Sequence, residues 1–251
     1  MIEPRSLPVI EAEWQVPTAF KAFTTTREGG SSEAPFATLN LGDHVGDAPA
    51  RVAHNRDVLS RLNALPSTPI WLNQVHGARV AEVGVSTAGT PLTADASVTR
   101  EHDCVLAILT ADCLPIVLAS PEHQVVAAIH GGWRSLADGI IENTIMAMDC
   151  PPSTVHAWLG PAIGPTCFEV GDDVWDRFVA NDWQMGRCFK ANKNQKYLAD
   201  LFAIARRLLD VQGVRQVSGG QHCTLSDGER FFSHRRRQPT GRMATLVWMA
   251  A

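Results

Sequence analysis

CVLAILTADCLPIVLA, residues 104–119, is the most apolar stretch of the chain. Asp112 and Pro115 interrupt it, and it is shorter than the roughly 20 apolar residues a membrane-spanning helix needs. It reads instead as two buried strands, 104–110 and 114–119, joined by a polar corner. Working outward, the turn Ser120-Pro121-Glu122-His123 leads to a third apolar segment, 125–130, as expected for a hairpin. Upstream, TAFKAFTTT at 18–26 reads as a strand, followed by the polar turn at 27–32. Residues 47–62 read as a helix with Asp47 as N-cap and Pro49 in the first turn. Short apolar segments at 70–72 and 79–83 fill the interval.

Downstream, a helix is expected over 133–148, a strand over 155–159, a short helix over 172–180 and a polar surface loop over 181–196. The clearest helix is 197–211, where Leu198, Leu201, Phe202, Ala205, Leu208 and Leu209 share one face and Gly213 supplies a stop. ATLVWM at 244–249 makes a closing strand. Strands and helices mix without regular alternation, so the expected class is α+β: a single domain over 1–251, built as a mixed-sheet α/β sandwich.

The net charge of −4 gives no basic excess, which argues against nucleic acid and an anionic membrane as partners. Nothing singles out a protein partner. Glu3, Arg5, Glu11 and Glu13 break any apolar leader segment. The six cysteines form no CxxC pair, so a disulfide framework is not expected and the reading is cytoplasmic.

Three polar interruptions of apolar strands carry chemistry. The first is Trp71-Leu72-Asn73-Gln74-Val75-His76-Gly77, which reads either as a ligand-bearing loop or as an ordinary strand-end turn. In Thr110-Ala111-Asp112-Cys113-Leu114-Pro115, Asp112 needs a partner if buried, and Cys113 is a thiolate ligand, a nucleophile or a packed thiol. In Ile129-His130-Gly131-Gly132-Trp133-Arg134, a strand ends in His130 and a helix begins after two glycines, which makes an anion site with Arg134 beside it. Together His76, Cys113 and His130 offer two imidazoles and a thiolate, a set that suits zinc with one open position; Cys113 with either His is equally a nucleophile pair.

NQVHG at 73–77, ADCLPI at 111–116, HGGWRSLADGII at 130–141, GPAIGPTCFEVG at 160–171 and FFSHRR at 231–236 resemble the YfiH-type family, also called laccase-domain or multicopper polyphenol oxidase-like proteins. Arg27-Glu28-Gly29-Gly30-Ser31, Leu39-Asn40-Leu41-Gly42, Cys223-Thr224 and Gly241-Arg242 extend the match over nearly the whole chain. The resemblance implies a single sandwich domain and a zinc ion held by His76, Cys113 and His130. It also implies phosphorolysis of adenosine, inosine, guanosine and methylthioadenosine, with adenosine deamination, and, for some members, editing of peptidoglycan precursors. Many relatives carry Tyr where Phe168 and His234 stand here.

On this reading purine nucleoside and phosphate are the small-molecule partners. Cys113, His76, His130 and Asp112 form the catalytic group. Gly131, Gly132, Arg134, Arg27 and Arg235 hold phosphate, and Asn40, Gln74 and Glu169 contact sugar or base. The alternatives are a Cys–His hydrolase acting on cell-wall precursors and a copper-dependent polyphenol oxidase. The latter is disfavoured because none of the nine His forms a His-x-His pair, although copper outranks zinc in affinity at such donors.

Overall fold

Alternation decides where the core lies. From 105 to 109, Val105, Ala107 and Leu109 face one way and Leu106 and Ile108 the other, and all five are buried. The hairpin strands Leu114–Ser120 and Val125–Gly131 repeat the pattern: Ile116, Leu118, Ala127 and Ile129 face helices, while Val117, Ala119, Val126 and Ala128 face the other sheet. Strands covered on both faces need no polar side, which is why the stretch reads as one apolar run. The computed structural model describes residues 6–90, 92–193 and 195–251. Glu3 and Arg5, which entered the reading of the N-terminal segment, lie outside the described residues.

The result is four layers. An antiparallel sheet runs in the order Val9–Glu11, Phe20–Thr25, Met243–Met249, Leu106–Thr110. A six-stranded mixed sheet runs Gln216–Gly219, His156–Leu159, Leu114–Ser120, Val125–Gly131, Ala96–Thr99, Val80–Glu82. Helix α1 (Pro49–Leu62) covers the outer face of the first sheet through Val58 and Leu59. The outer face of the second is covered by α2 (Trp133–Ala137), α3 (Ile140–Met148), α4 (Asp172–Val179) and α5 (Leu201–Val211). This is the expected mixed-sheet α/β sandwich. Residues 111–113 are the corner where the chain leaves one sheet for the other.

Four local expectations are corrected. The helix expected over 133–148 is two helices, broken at Gly139, which sits at φ 87°. The helix expected over 197–211 begins at Leu201. Asp200 caps it by accepting from the Ala203 N–H at 3.0 Å, and Tyr197–Ala199 is instead the middle strand of a small sheet with Glu169–Val170 and Phe189–Ala191. The loop expected over 181–196 contains a 3-10 turn, Trp183–Cys188, and the strand Phe189–Ala191. Asp47 does not cap α1: one carboxylate oxygen accepts from Ser32 Oγ and Asn40 Nδ2, which ties two loops together. Among the described residues no helix is long and apolar enough to cross a membrane.

Candidate metal centre

Strand register assembles the site. Pro115 pairs with His130 and Leu114 with Gly131, so Cys113, one residue before the strand, arrives beside His130. On the other side Ala96 pairs with Ile129, and the His130 N–H donates to the Asp95 carbonyl at 2.7 Å, which sets Asp95 opposite His130. His76 comes from the 73–77 loop. The Gln74 side chain fixes that loop by pairing with both the N–H and the carbonyl of Leu109, each at 2.8 Å, on the edge strand of the first sheet.

The donor atoms of His76, Cys113 and His130 lie within 4.8 Å of one another. Cys113 Sγ is 3.7 Å from His76 Nε2, close to the roughly 3.6 Å that a thiolate and an imidazole span around a shared tetrahedral zinc. The two imidazole rings meet edge-on, centroids 4.6 Å apart. His130 is buried, Cys113 half-buried and His76 exposed, so the group opens on the His76 side. Two of the flanking backbones are left-handed, His76 at φ 61° and Asp112 at φ 88°. Such residues cost about 1–3 kcal/mol each and persist where surrounding bonds hold them.

Those bonds come from two buried carboxylates. Asp95 accepts from His130 Nδ1 at 2.8 Å and from the N–H groups of Val75, His76 and Gly77 at 3.2, 2.9 and 2.7 Å. Burial alone would raise its pKa; the bonds from His130, Gly77 and His76 outweigh that and hold it below the usual carboxylate range. Because Nδ1 is committed to Asp95, His130 turns Nε2 toward the centre, a carboxylate–histidine arrangement typical of metal ligands. Sequence reasoning missed Asp95. The signal was an acid in the apolar run Ala94-Asp95-Ala96, the same signal that drew attention to Asp112.

Asp112 points away from the centre. Its oxygens accept from Thr224 Oγ1 at 2.6 Å, Ser233 Oγ at 3.0 Å and the Arg235 N–H at 2.6 Å, while its carbonyl accepts from the Ile163 N–H at 2.9 Å. It clamps three distant segments around the corner that carries Cys113.

Without a metal, the thiol and imidazole titrate together. Burial pushes the Cys113 thiol up, but the His130 charge and hydrogen bonds from His130 and His76 bring it down to about 6. Burial pushes His130 down, and the Cys113 thiolate and Asp95 carry it up to about 9. The pair is a thiolate–imidazolium.

The remaining sequence-derived residues divide. Arg27 is committed to framework carbonyls, Ala37 through Nε and Nη2 and Gly228 through Nη1, with its guanidinium over the Phe232 ring. Asn40 is fully buried and spends its amide on Gly42, Asp47 and the Arg242 N–H. Arg134 is exposed and stacks on Trp133 at 4.2 Å. Arg235 donates to the Glu169 carbonyl at 3.1 Å and lies over Phe168, so Glu169 and Arg235 stand together beside Asp112. Gly132 belongs to the centre itself: a Cβ there would come within 2.8 Å of His76 Cδ2. Gly131 packs instead against the Leu114 carbonyl, 2.6 Å from where its Cβ would stand.

A His/Cys/His centre assembled at strand ends in a two-sheet sandwich defines the class, and comparison places the chain within it. The family model described as multi-copper polyphenol oxidoreductase laccase matches residues 21–250. A Haemophilus influenzae protein named purine nucleoside phosphorylase is 45% identical over 244 residues, covering 96% of this chain and 99% of its own. Purine nucleoside phosphorylase YfiH of Escherichia coli is 43% identical, covering 96% of this chain and 98% of its own. Among solved structures, a Neisseria meningitidis protein superposes with a TM-score of 0.92 at 42% identity, covering 97% of this chain and 99% of its own. YlmD from Geobacillus stearothermophilus gives 0.88 at 31% identity, covering 97% and 100%. The chain belongs to the YfiH-type, laccase-domain family.

Proposed function

We propose that this protein is a zinc-dependent purine nucleoside phosphorylase, cleaving the N-glycosidic bond of adenosine, inosine, guanosine or methylthioadenosine with inorganic phosphate, and that the same centre deaminates adenosine. The observation that carries the reading is the His76/Cys113/His130 group, braced from behind by Asp95 and exposed on the His76 side. Relatives 43–45% identical over 96% of the chain are named for this activity.

Three protein donors of N, N and S type fit zinc with a position left for an incoming oxygen. When bound, the ion supplies Lewis-acid polarisation of that oxygen. The chain's own residues do the rest. Asp95 holds His130 in one tautomer and the 75–77 backbone in place. Asp112 holds the Cys113 corner as a positioning residue, and Glu169 and Arg235 offer polar contacts to the nucleoside. Six free thiols fit a reducing compartment, and we place the protein in the cytoplasm.

Copper oxidase chemistry is the weaker reading. A multicopper enzyme needs a trinuclear cluster and a further copper site, and among the described residues His76, Cys113 and His130 are the one group able to hold a metal. The Cys–His hydrolase reading, with peptidoglycan precursors as substrate, has one observation in its favour: Cys113 Sγ lies 3.7 Å from His76 Nε2, beside two imidazoles that lower its pKa to about 6.

The deciding experiment incubates metal-analysed protein with adenosine and phosphate, with and without chelator, and separates the products. Adenine and ribose 1-phosphate that vanish on chelation and return with zinc establish the phosphorylase; inosine lost and regained in the same way establishes the deaminase. No turnover by folded, zinc-loaded protein transfers the reading to the Cys113 hydrolase.

A further inference from the structure

Beside the centre lies a cleft of about 400 Å³ lined by His44, Val45, His234, Gln238, Thr240 and Arg242, among others. It adjoins the centre because His234 sits between Ser233 and Arg235, both bonded to Asp112, and lies within electrostatic reach of His76. We infer that this cleft is an oxyanion subsite that takes inorganic phosphate, with Arg242 as its anchor and His234 as a flanking donor. The inference rests on the phosphorylase reading for its choice of anion.

Arg242 is the central observation. Its backbone N–H is spent on Asn40 and its Nη1 on the carbonyls of Thr240 and Gly241. These bonds pin the guanidinium from one side and leave Nε and Nη2 without a hydrogen-bond partner among the described residues. Arg242 is itself part of the lining of the cleft. Among the described residues no carboxylate forms an ion pair with Arg242 within 4.0 Å. The negative charges in its reach are the Cys113 thiolate and Asp112, the first a metal ligand and the second already bonded to Thr224, Ser233 and Arg235.

A largely buried guanidinium with a free fork and no counter-ion is a site for a planar or tetrahedral oxyanion. Two imidazoles line the same cleft, and burial together with the Arg242 charge holds both below the usual histidine range. A neutral His234 keeps one N–H to donate without adding a second full charge to repel Arg242, whereas His44 Nδ1 faces Asp43 Oδ1 at 3.5 Å and turns its N–H to that carboxylate. By contrast Arg27 is spent on framework carbonyls and Arg134 lies on Trp133. Arg27, Arg134 and Arg235 are the phosphate residues expected from sequence; Arg242 stands in the Gly241-Arg242 motif but is not among them.

The test is titration of zinc-loaded protein with inorganic phosphate, followed by calorimetry, for wild type and for Arg242→Gln, His44→Gln and His234→Gln. Losing a charged, two-pronged donor weakens phosphate binding by about tenfold or more in Arg242→Gln, losing one neutral donor weakens it by a few-fold in His234→Gln, and His44→Gln leaves it near wild type, with zinc content unchanged throughout. If Arg242→Gln fails to fold, the exposed His234→Gln variant, read against His44→Gln, carries the test. Phosphate binding that is absent in wild type, or equal in all folded variants, overturns the inference whether or not adenosine is cleaved. Arg242-dependent phosphate binding without release of adenine sinks the phosphorylase reading and leaves the subsite standing. A second arm uses adenosine 5′-phosphate. If it binds in the same Arg242-dependent way and more tightly than inorganic phosphate, the cleft holds a nucleotide's own phosphate and the assignment to the free ion is overturned.

Discussion

Asp95, one residue before the strand Ala96–Thr99, lies opposite His130 and is joined to it twice, by the His130 N–H to the Asp95 carbonyl at 2.7 Å and by His130 Nδ1 to the Asp95 carboxylate at 2.8 Å. The same carboxylate accepts three N–H groups, those of Val75, His76 and Gly77, from the loop that carries His76. One buried acid thus orients one metal ligand and anchors the loop of another. Replacing it by Asn keeps the shape and removes the charge. Such changes behind a ligand cost about 10–100-fold in metal affinity. Competition of Asp95→Asn against a chromophoric zinc chelator is expected to show a loss of that size; wild-type affinity would mean that Asp95 serves the fold alone.

The three ligands differ in what their removal does to the metal-free fold. His76 is exposed, and its side-chain contacts are with the other two ligands, Cys113 and His130. His130 is buried and is the side-chain partner of a fully buried carboxylate. His130→Ala leaves Asp95 short of a partner, a change that costs about 3–5 kcal/mol in buried pairs. Both variants lose zinc and turnover. Urea unfolding of the metal-free forms separates them: His76→Ala stays near wild type and His130→Ala falls well below it. Equal midpoints would contradict the asymmetry.

The coupled titration of Cys113 and His130 gives a pH window. The Cys113 value, about 6, lies below that of an ordinary thiol, so its contribution to stability is present at high pH and is lost as pH falls through about 6. The His130 value, about 9, lies above that of an ordinary imidazole, so its contribution is full at low pH and is lost as pH rises through about 9. The ion pair of the metal-free protein therefore spans roughly pH 6–9. Iodoacetamide should alkylate Cys113 with a midpoint near pH 6 in metal-free protein and far more slowly once zinc is bound. A midpoint in the ordinary thiol range, about 8.5, would show that His130 does not stabilise the thiolate.

Asp112 separates positioning from chemistry. Its oxygens serve Thr224, Ser233 and the Arg235 N–H, and the two hydroxyl donors are buried. In Asp112→Ala these donors lose a charged acceptor, each such bond being worth about 1.5–3 kcal/mol. The expected signature is a sharp fall in thermal midpoint, with zinc still bound at low temperature in the folded fraction. Asp112→Asn, which keeps one acceptor oxygen, should recover part of that midpoint. Full stability with abolished turnover would instead give Asp112 a direct role in the reaction.

The sequence was most legible where one strand decided its own environment. The apolar runs around 104–119 and 125–130 declare buried strands, and the glycine pair after His130 marks the end of one. The three ligands were legible as residue types. What brings them together was not: register sets Pro115 against His130, and Gln74 reaches Leu109 across 35 positions. Asp47 looked like a helix cap because local sequence cannot show that Ser32 and Asn40 compete for its oxygens. The break at Gly139 was hidden by an apolar pattern that continues in phase on both sides, since packing of α2 and α3 on one sheet preserves the apolar face while the backbone turns.

The two glycines after His130 make different demands, and that difference can be tested. Gly132 has φ −62°, a conformation open to any residue, so alanine there meets no backbone obstacle. Its Cβ would instead stand 2.8 Å from His76 Cδ2 and 3.5 Å from Cys113 Sγ. The exposed imidazole can swing away, which relieves the contact at the expense of ligand geometry. At Gly131 the nearest atom is the Leu114 carbonyl oxygen, 2.6 Å away and fixed in the sheet, so relief there requires the strands to part. Gly132→Ala should therefore lower zinc affinity and turnover while the metal-free thermal midpoint holds. Gly131→Ala should lower the midpoint itself, and the loss of zinc should follow from unfolding. The reverse pattern would place the steric demand of this segment on the fold at 132 and on the metal at 131, against the contacts described.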